Sequence, residues 1–250
     1  MTPDFSGNKM KKHILLICYL VFEACAFPQQ TGLPADSIPA GYFVTHTRSE
    51  LMQKLSDLPV GINTNDSIPA IIDKLEMFVL SYQPQQQYKD DAYAKESILQ
   101  TLIGFKEGGY GIGAILVDST GNIIFRSHNY QIQKHRSDLH AEMSLLTFFE
   151  ESQQADQYMN VFVYKPGLTI YSSAEPCPMC LMRMALAGVE CKYVCRGPDD
   201  GMANRIDYLP PAWRSLAHKY PCTQAQTSPV LQKIAHLMFF SYLLDNRGPE

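Results

Sequence analysis

The stretch Leu168-Thr169-Ile170-Tyr171-Ser172-Ser173-Ala174-Glu175-Pro176-Cys177-Pro178-Met179-Cys180 decides the fold. Leu168 to Ser173 reads as a strand, rich in β-branched and aromatic residues. Proline at the first helical position gives up an N–H that would be unbonded there anyway. A helix is therefore predicted over Pro178 to Ala187, and Cys191 to Cys195 reads as the next strand.

Upstream, Leu139 to Glu150 is a predicted helix with Met143, Leu146 and Phe149 among its apolar positions. Ile112 to Val117 and Asn122 to His128 are β-rich runs on either side of Asp118-Ser119-Thr120-Gly121, the pattern of a hairpin. Ala92 to Lys106 reads as a helix that Glu107-Gly108-Gly109 ends. Downstream, Ala212 to Tyr220 and Val230 to Leu244 are helical, the second with Leu231, Ile234, Met238 and Tyr242 on one face. Strands alternating with helices after a first hairpin imply an α/β fold, a three-layer α/β/α sandwich around one mixed sheet.

Residues 27–90 precede this domain, which is expected over 91–250. They are Pro- and Gln-rich at their edges and hold two helical patterns, Thr47 to Leu58 and Ser67 to Tyr82, read as a helical accessory or cap segment. Lys11-Lys12-His13, the apolar run Ile14 to Phe22 and Ala24-Cys25-Ala26 follow the order of a secretory signal peptide over residues 1–26, with Met10 an alternative start. A periplasmic or secreted protein is expected on that reading; the alternative is a buried helix of a cytoplasmic one. No apolar run approaches the roughly 20 residues of a membrane span.

Apolar residues make up 46% of the 250 and charged residues 18%, which excludes intrinsic disorder. The formal net charge of −4 argues against a dedicated binder of nucleic-acid backbone. Seven cysteines are too few for a disulfide scaffold. Cys191 and Cys195, four apart and facing one side of their predicted strand, are expected to be buried core residues; in an exported protein one of them could pair with Cys222. Lys134-His135-Arg136 reads as a solvated loop, His128, His218 and His236 as structural histidines, and the tyrosines and phenylalanines as core.

Two motifs carry the chemistry. Cys177 and Cys180 lie at i and i+3 of a helix start, so both thiolates reach one ion. His140, behind the N-cap candidates Ser137 and Asp138, supplies a third ligand from a second helix start. Three protein ligands with the fourth position open describe a catalytic zinc, one per chain. Glu142 stands in the first turn beside His140, where a carboxylate can move protons without binding the metal.

His140-x-Glu142 followed by Pro176-Cys177-x-x-Cys180 is the pattern of zinc nucleobase deaminases. The region from about Phe105 to Gly197 resembles the cytidine deaminase-like superfamily, and Ser173 to Cys180 looks most like its guanine deaminase and tRNA adenosine deaminase branch. Gly113 to Gly121 resembles that branch's first hairpin. By this resemblance Asn129, eleven residues before His140, is assigned to substrate binding, and the backbone of Ala141 to contacting the base. Arg136-Ser137-Asp138-Leu139 departs from the Asp-Pro-Thr-Ala usual before the histidine. The 37-residue interval from His140 to Cys177 is long, with Glu151 to Asn160 as the inserted stretch. The resemblance implies hydrolytic deamination of a small nucleobase or nucleoside, a purine such as guanine or adenine. Nucleic acid is an unlikely partner on this reading, and members of the branch are commonly homodimers. Two alternatives stay open: a deaminase of a polynucleotide, and a catalytically inactive zinc-binding protein.

Overall fold

The computed structural model describes residues 47–160, 163–197 and 201–244. The expected signal peptide lies outside them. Helix α1 (Arg48–Ser56) starts at a capping box, in which the Glu50 N–H donates to Thr47 Oγ1 and the Thr47 N–H to Glu50 Oε2. Helix α2 (Ile68–Ser81) buries Ile71, Ile72, Leu75 and Val79, the stripe its periodicity predicts. Helix α3 (Asp91–Lys106) leads into strands β1 (Gly113–Val117) and β2 (Ile123–His128). Their turn is organised by Asp118 Oδ1, which accepts hydrogen bonds from the Thr120 and Asn122 N–H groups, both at 2.9 Å.

A one-turn helix α4 (Gln131–Lys134) precedes α5 (Ala141–Glu150). The polar stretch expected as an insertion, Glu151 to Asn160, forms a short 3-10 helix and the two-residue strand β3 (Met159–Asn160), which pairs with β4 (Val163–Tyr164) beyond it. Then come β5 (Thr169–Ala174), α6 (Pro178–Ala187), β6 (Glu190–Cys195), α7 (Pro211–Lys219), β7 (Cys222–Gln224) and α8 (Pro229–Phe239). Gly188 closes α6 at φ 80°, a left-handed conformation that glycine adopts without steric cost.

The main sheet has the order β2-β1-β5-β6-β7, antiparallel from β2 to β5 and parallel from β5 to β7. It is the mixed sheet the alternation of elements predicts. Period-2 alternation divides its side chains between two helical layers. Ala114, Leu116, Ile170 and Tyr193 pack with α5 and α6, whereas Val194 joins the cluster built from α1, α2, α3 and α8. Cys191 and Cys195 are both buried, as expected, but they do not share a cluster: Cys191 packs with the α5/α6 layer and Cys195, at the strand end, with the other. Cys191 stands beside Cys222 in the β6–β7 register, both as free thiols.

Two acids that composition would place in solvent are buried at the start of α3. Asp90 accepts hydrogen bonds from Tyr171 Oη, Lys192 Nζ and the Gln226 N–H at 2.8–2.9 Å. Asp91 accepts from Tyr82 Oη at 2.6 Å and the Ser228 N–H at 2.7 Å. The pair ties α3 to β5, β6 and the approach to α8. Among the described residues, no helix is long and apolar enough to cross a membrane.

Candidate metal centre

Helices α5 and α6 present their N-termini to one place. His140 is the N-cap of α5 and Cys177 the N-cap of α6, and neither helix start carries a side-chain cap. Ser137 and Asp138, expected as caps, do not serve as such; the Asp138 carboxylate is taken by Arg136, at 2.6 and 3.0 Å. Uncapped first turns leave N–H groups and the positive helix ends directed at whatever binds there.

The Sγ of Cys177 lies 3.6 Å from His140 Nδ1 and 3.6 Å from the Sγ of Cys180. All three ligand atoms fall within 4.8 Å of one another. Zinc bonds of about 2.3 Å to sulfur and 2.0–2.1 Å to nitrogen, set at the tetrahedral angle, require edges of about 3.8 Å between sulfurs and about 3.6 Å between sulfur and nitrogen. The donor set therefore fits zinc in chemistry, and the two edges that meet at Cys177 fit it in spacing. Hydrogen bonding from Cys180, together with His140, draws the Cys177 thiol down to about 4 against the effect of burial, while Cys180 is pushed up as the partner that keeps the proton.

Glu142, the second residue of α5, is 3% exposed. Ser172 Oγ donates to its Oε1 at 2.8 Å. Burial, then the neighbouring Cys177 charge, raises its pKa above the ordinary carboxylate value, and the Ser172 hydrogen bond only partly opposes them. A carboxyl poised in this way suits proton transfer near neutral pH.

His140, Glu142 and Cys177 line a pocket of about 170 Å³ together with Asn129, and Ala141 lies buried between the first two. Asn129, at the end of β2, is 1% exposed, and its amide is committed to Gln131: Oδ1 accepts the Gln131 N–H at 3.0 Å and Nδ2 donates to Gln131 Oε1 at 2.8 Å. Gln131 itself faces the pocket. Its place two residues after an asparagine, the spacing of an Asx turn, was the available sequence signal.

Glu175 also lines the pocket. Its carboxylate accepts from the Gly197 N–H at 3.2 Å and from both the N–H and Nδ2 of Asn204 at 3.1 Å. Gly201 lies so close that a Cβ there would come within 2.5 Å of Glu175 Cδ, so a side chain cannot fit. Tyr110, Phe239 and Tyr242 complete the wall. These aromatics were expected in the core. Helix α8 ends at Phe239, and a 3-10 turn carries Tyr242; both side chains pack against the helical cluster, as expected, and also face the pocket. Lys134, His135 and Arg136 are not among the lining residues. His128 is structural, with Nε2 3.1 Å from Glu107 Oε2 and its ring stacked on Tyr130.

Residues 88–195 match the family described as the cytidine and deoxycytidylate deaminase zinc-binding region. A tRNA-specific adenosine deaminase of Bacillus subtilis is 35% identical over 102 residues, 41% of this chain and 58% of the relative. A cytosine deaminase of Candida albicans is 36% identical over 89 residues, 36% of this chain and 54% of the relative. The chain thus spans just over half the length of the curated relatives it matches. A solved structure in complex with 2,6-diaminopurine aligns over 72% of this chain and 92% of its own, with 18% identity and a TM-score of 0.50, a likeness of fold.

Proposed function

We propose that this chain, a member of the cytidine deaminase-like superfamily, is a zinc-dependent hydrolytic deaminase of a free nucleobase or nucleoside, a purine such as guanine or adenine, and that it releases ammonia. One observation carries the reading: a buried carboxylate, Glu142, lines one small pocket with His140 and Cys177, whose ligand atoms gather with that of Cys180 within 4.8 Å of one another. His140, Cys177 and Cys180 would hold the zinc, with the fourth position open. Zinc bound there supplies Lewis acidity and brings the pKa of a water toward neutrality. Glu142 takes a proton from the attacking water and returns it to the departing nitrogen, its raised pKa serving both directions of transfer. Ser172 fixes the carboxylate's orientation.

Asn129 Nδ2 and Gln131 Nε2 each carry a second N–H beyond the bonds to Gln131 Oε1 and the Ser137 carbonyl, and these, with the Ala141 backbone, are assigned to the ring's polar edge. Tyr110, Phe239 and Tyr242 provide flat apolar faces on which a ring can lie. An apolar cavity of about 150 Å³ accommodates benzene, so about 170 Å³ is scaled to one base, whether free or flipped out of a strand. Among the described residues, none that lines the pocket is a lysine or arginine able to meet a phosphate beside the base. This favours an uncharged small substrate over the tRNA named for the Bacillus subtilis relative.

The test is ammonia release from free bases, nucleosides, nucleotides and a short RNA. Turnover of a free purine or its nucleoside is expected. Turnover confined to RNA would overturn the small-substrate reading, and silence across the panel with zinc bound would favour an inactive zinc-binding protein.

A further inference from the structure

Two of the three ligands come from α6 and the third from α5, helices separated by a long stretch of chain. The geometry of the site therefore depends on how α5 and α6 are held beside one another. Apolar packing between helices is non-directional and tolerates sliding, whereas a metal site needs its ligands placed within roughly 0.5 Å. Something directional should fix the pair, and one residue does so.

Arg183 follows Cys180 by three positions on α6, hence on the same face. Its guanidinium reaches across to α5 and grips it at three places: Nη1 donates to the Met143 carbonyl at 3.0 Å and to Thr147 Oγ1 at 2.6 Å, and Nη2 donates to Glu150 Oε2 at 2.9 Å. Met143, Thr147 and Glu150 are spaced i, i+4, i+7 along one face of α5, and Met143 directly follows Glu142. Glu150 is held in turn by Tyr164 Oη at 3.3 Å. Sliding α6 along α5, or rotating either helix, breaks at least one of these contacts. A planar fork with several donors can span them; a lysine ammonium cannot.

We propose that Arg183 is a positioning residue for the metal centre: by clamping α6 to α5 it sets the separation of Cys177 and Cys180 from His140 and so the affinity for zinc. The proposal rests on the reading of those three residues as ligands. It differs from an ordinary partly exposed ion pair, which contributes little beyond general stability. Such a pair would lower thermal stability with and without metal alike and leave the zinc affinity of the folded protein unchanged.

The experiment measures zinc dissociation constants of the full chain by competition with a chromophoric chelator, alongside the visible absorption of the cobalt-substituted protein and circular dichroism to confirm folding. Arg183→Met should weaken zinc binding by about 10-fold, the low end of what loss of a group bonded directly to a ligand costs, because Arg183 acts through the helices, and should shift the cobalt ligand-field bands. Arg183→Lys should not restore wild-type affinity, and Thr147→Val should lie between it and the wild type. If Arg183→Met fails to fold, Arg183→Lys, which keeps the charge and the aliphatic stem, decides the matter. Affinity within twofold of wild type in folded Arg183→Lys and Thr147→Val, with unshifted cobalt bands, overturns the proposal. A wild-type chain that binds no zinc, or a Cys177→Ser variant that binds it unimpaired, would instead sink the ligand reading on which the proposal stands.

Discussion

Asn129→Ala probes the side of the pocket away from the metal. The Asn129 amide is buried and makes two hydrogen bonds to Gln131, at 2.8 and 3.0 Å, while Gln131 Nε2 reaches the Ser137 carbonyl at 3.0 Å. Truncation removes both bonds and leaves the half-buried N–H and Oε1 of Gln131 without their partner. At about 0.5–1.5 kcal/mol net for each bond, the loss totals about 1–3 kcal/mol. That loss falls on stability and is read in the melt. The kinetic loss arises because the substrate's polar edge loses a buried partner, about 1–3 kcal/mol. Since 1.4 kcal/mol is a factor of ten, kcat/KM should fall about 10–100-fold on the best substrate, with zinc content unchanged. Asn129→Asp keeps the acceptor for the Gln131 N–H but sets a carboxylate oxygen against Gln131 Oε1. Gln131 can relieve that only by turning its amide away from Ser137, so this variant should also be impaired. Steady-state kinetics beside zinc analysis and a thermal melt separate the effects. A kcat/KM within twofold of wild type in Asn129→Ala would refute the assignment and make the eleven-residue spacing to His140 a coincidence.

Other outcomes follow from the same structure. Cys177→Ser removes the most strongly ionised ligand, so zinc content, activity and melting temperature should fall together, because metal binding adds to folding free energy; wild-type zinc content in that variant would contradict the ligand assignment. Burial opposes ionisation of Asp90, but Lys192, the Gln226 N–H and Tyr171 outweigh it and depress its pKa. The stability this contributes is present above the ordinary aspartate value near 3.9 and is lost as pH falls through the folded value. Asp90→Asn should therefore cost about 2 kcal/mol near pH 7, with the gap to wild type closing in acid; denaturant midpoints that differ equally at pH 7 and pH 3 would refute this. Expressed in a Gram-negative host, the chain is expected in the periplasm with its N-terminus near Phe27, and Edman sequencing of a cytosolic product that retains Met1 or Met10 would contradict it.

The elements with strong periodicity were legible from the sequence. Pro178 to Ala187 matches α6 at both ends, because a proline start and a glycine stop punctuate it. The hairpin around Asp118 and the buried stripes of α1 and α2 follow from short-range patterns. The metal centre was legible for the same reason: its residues sit at fixed local spacings, and only their convergence is tertiary. What lay hidden depends on contacts between distant segments. Tyr110, Glu175 and the pair Phe239 and Tyr242 reach the pocket from three separate places, and no local pattern distinguishes them from core or surface residues. Asp90 and Asp91 are buried because partners from β5, β6 and the approach to α8 meet them. Arg183 reads as an ordinary exposed helix residue until α5 is placed beside it.

The central claim is that three residues hold zinc while Glu142 moves protons. Glu142→Gln tests it most directly, since glutamine keeps the side chain's size and its hydrogen bond to Ser172 but cannot carry a proton. Zinc stoichiometry and ammonia release are measured on the same preparation. The account predicts about one zinc per chain, as in the wild type, with turnover lowered by about 10²–10⁴-fold. Zinc lost from this variant would make Glu142 a ligand or a support for one, and full zinc with undiminished turnover would contradict the proton-transfer role outright.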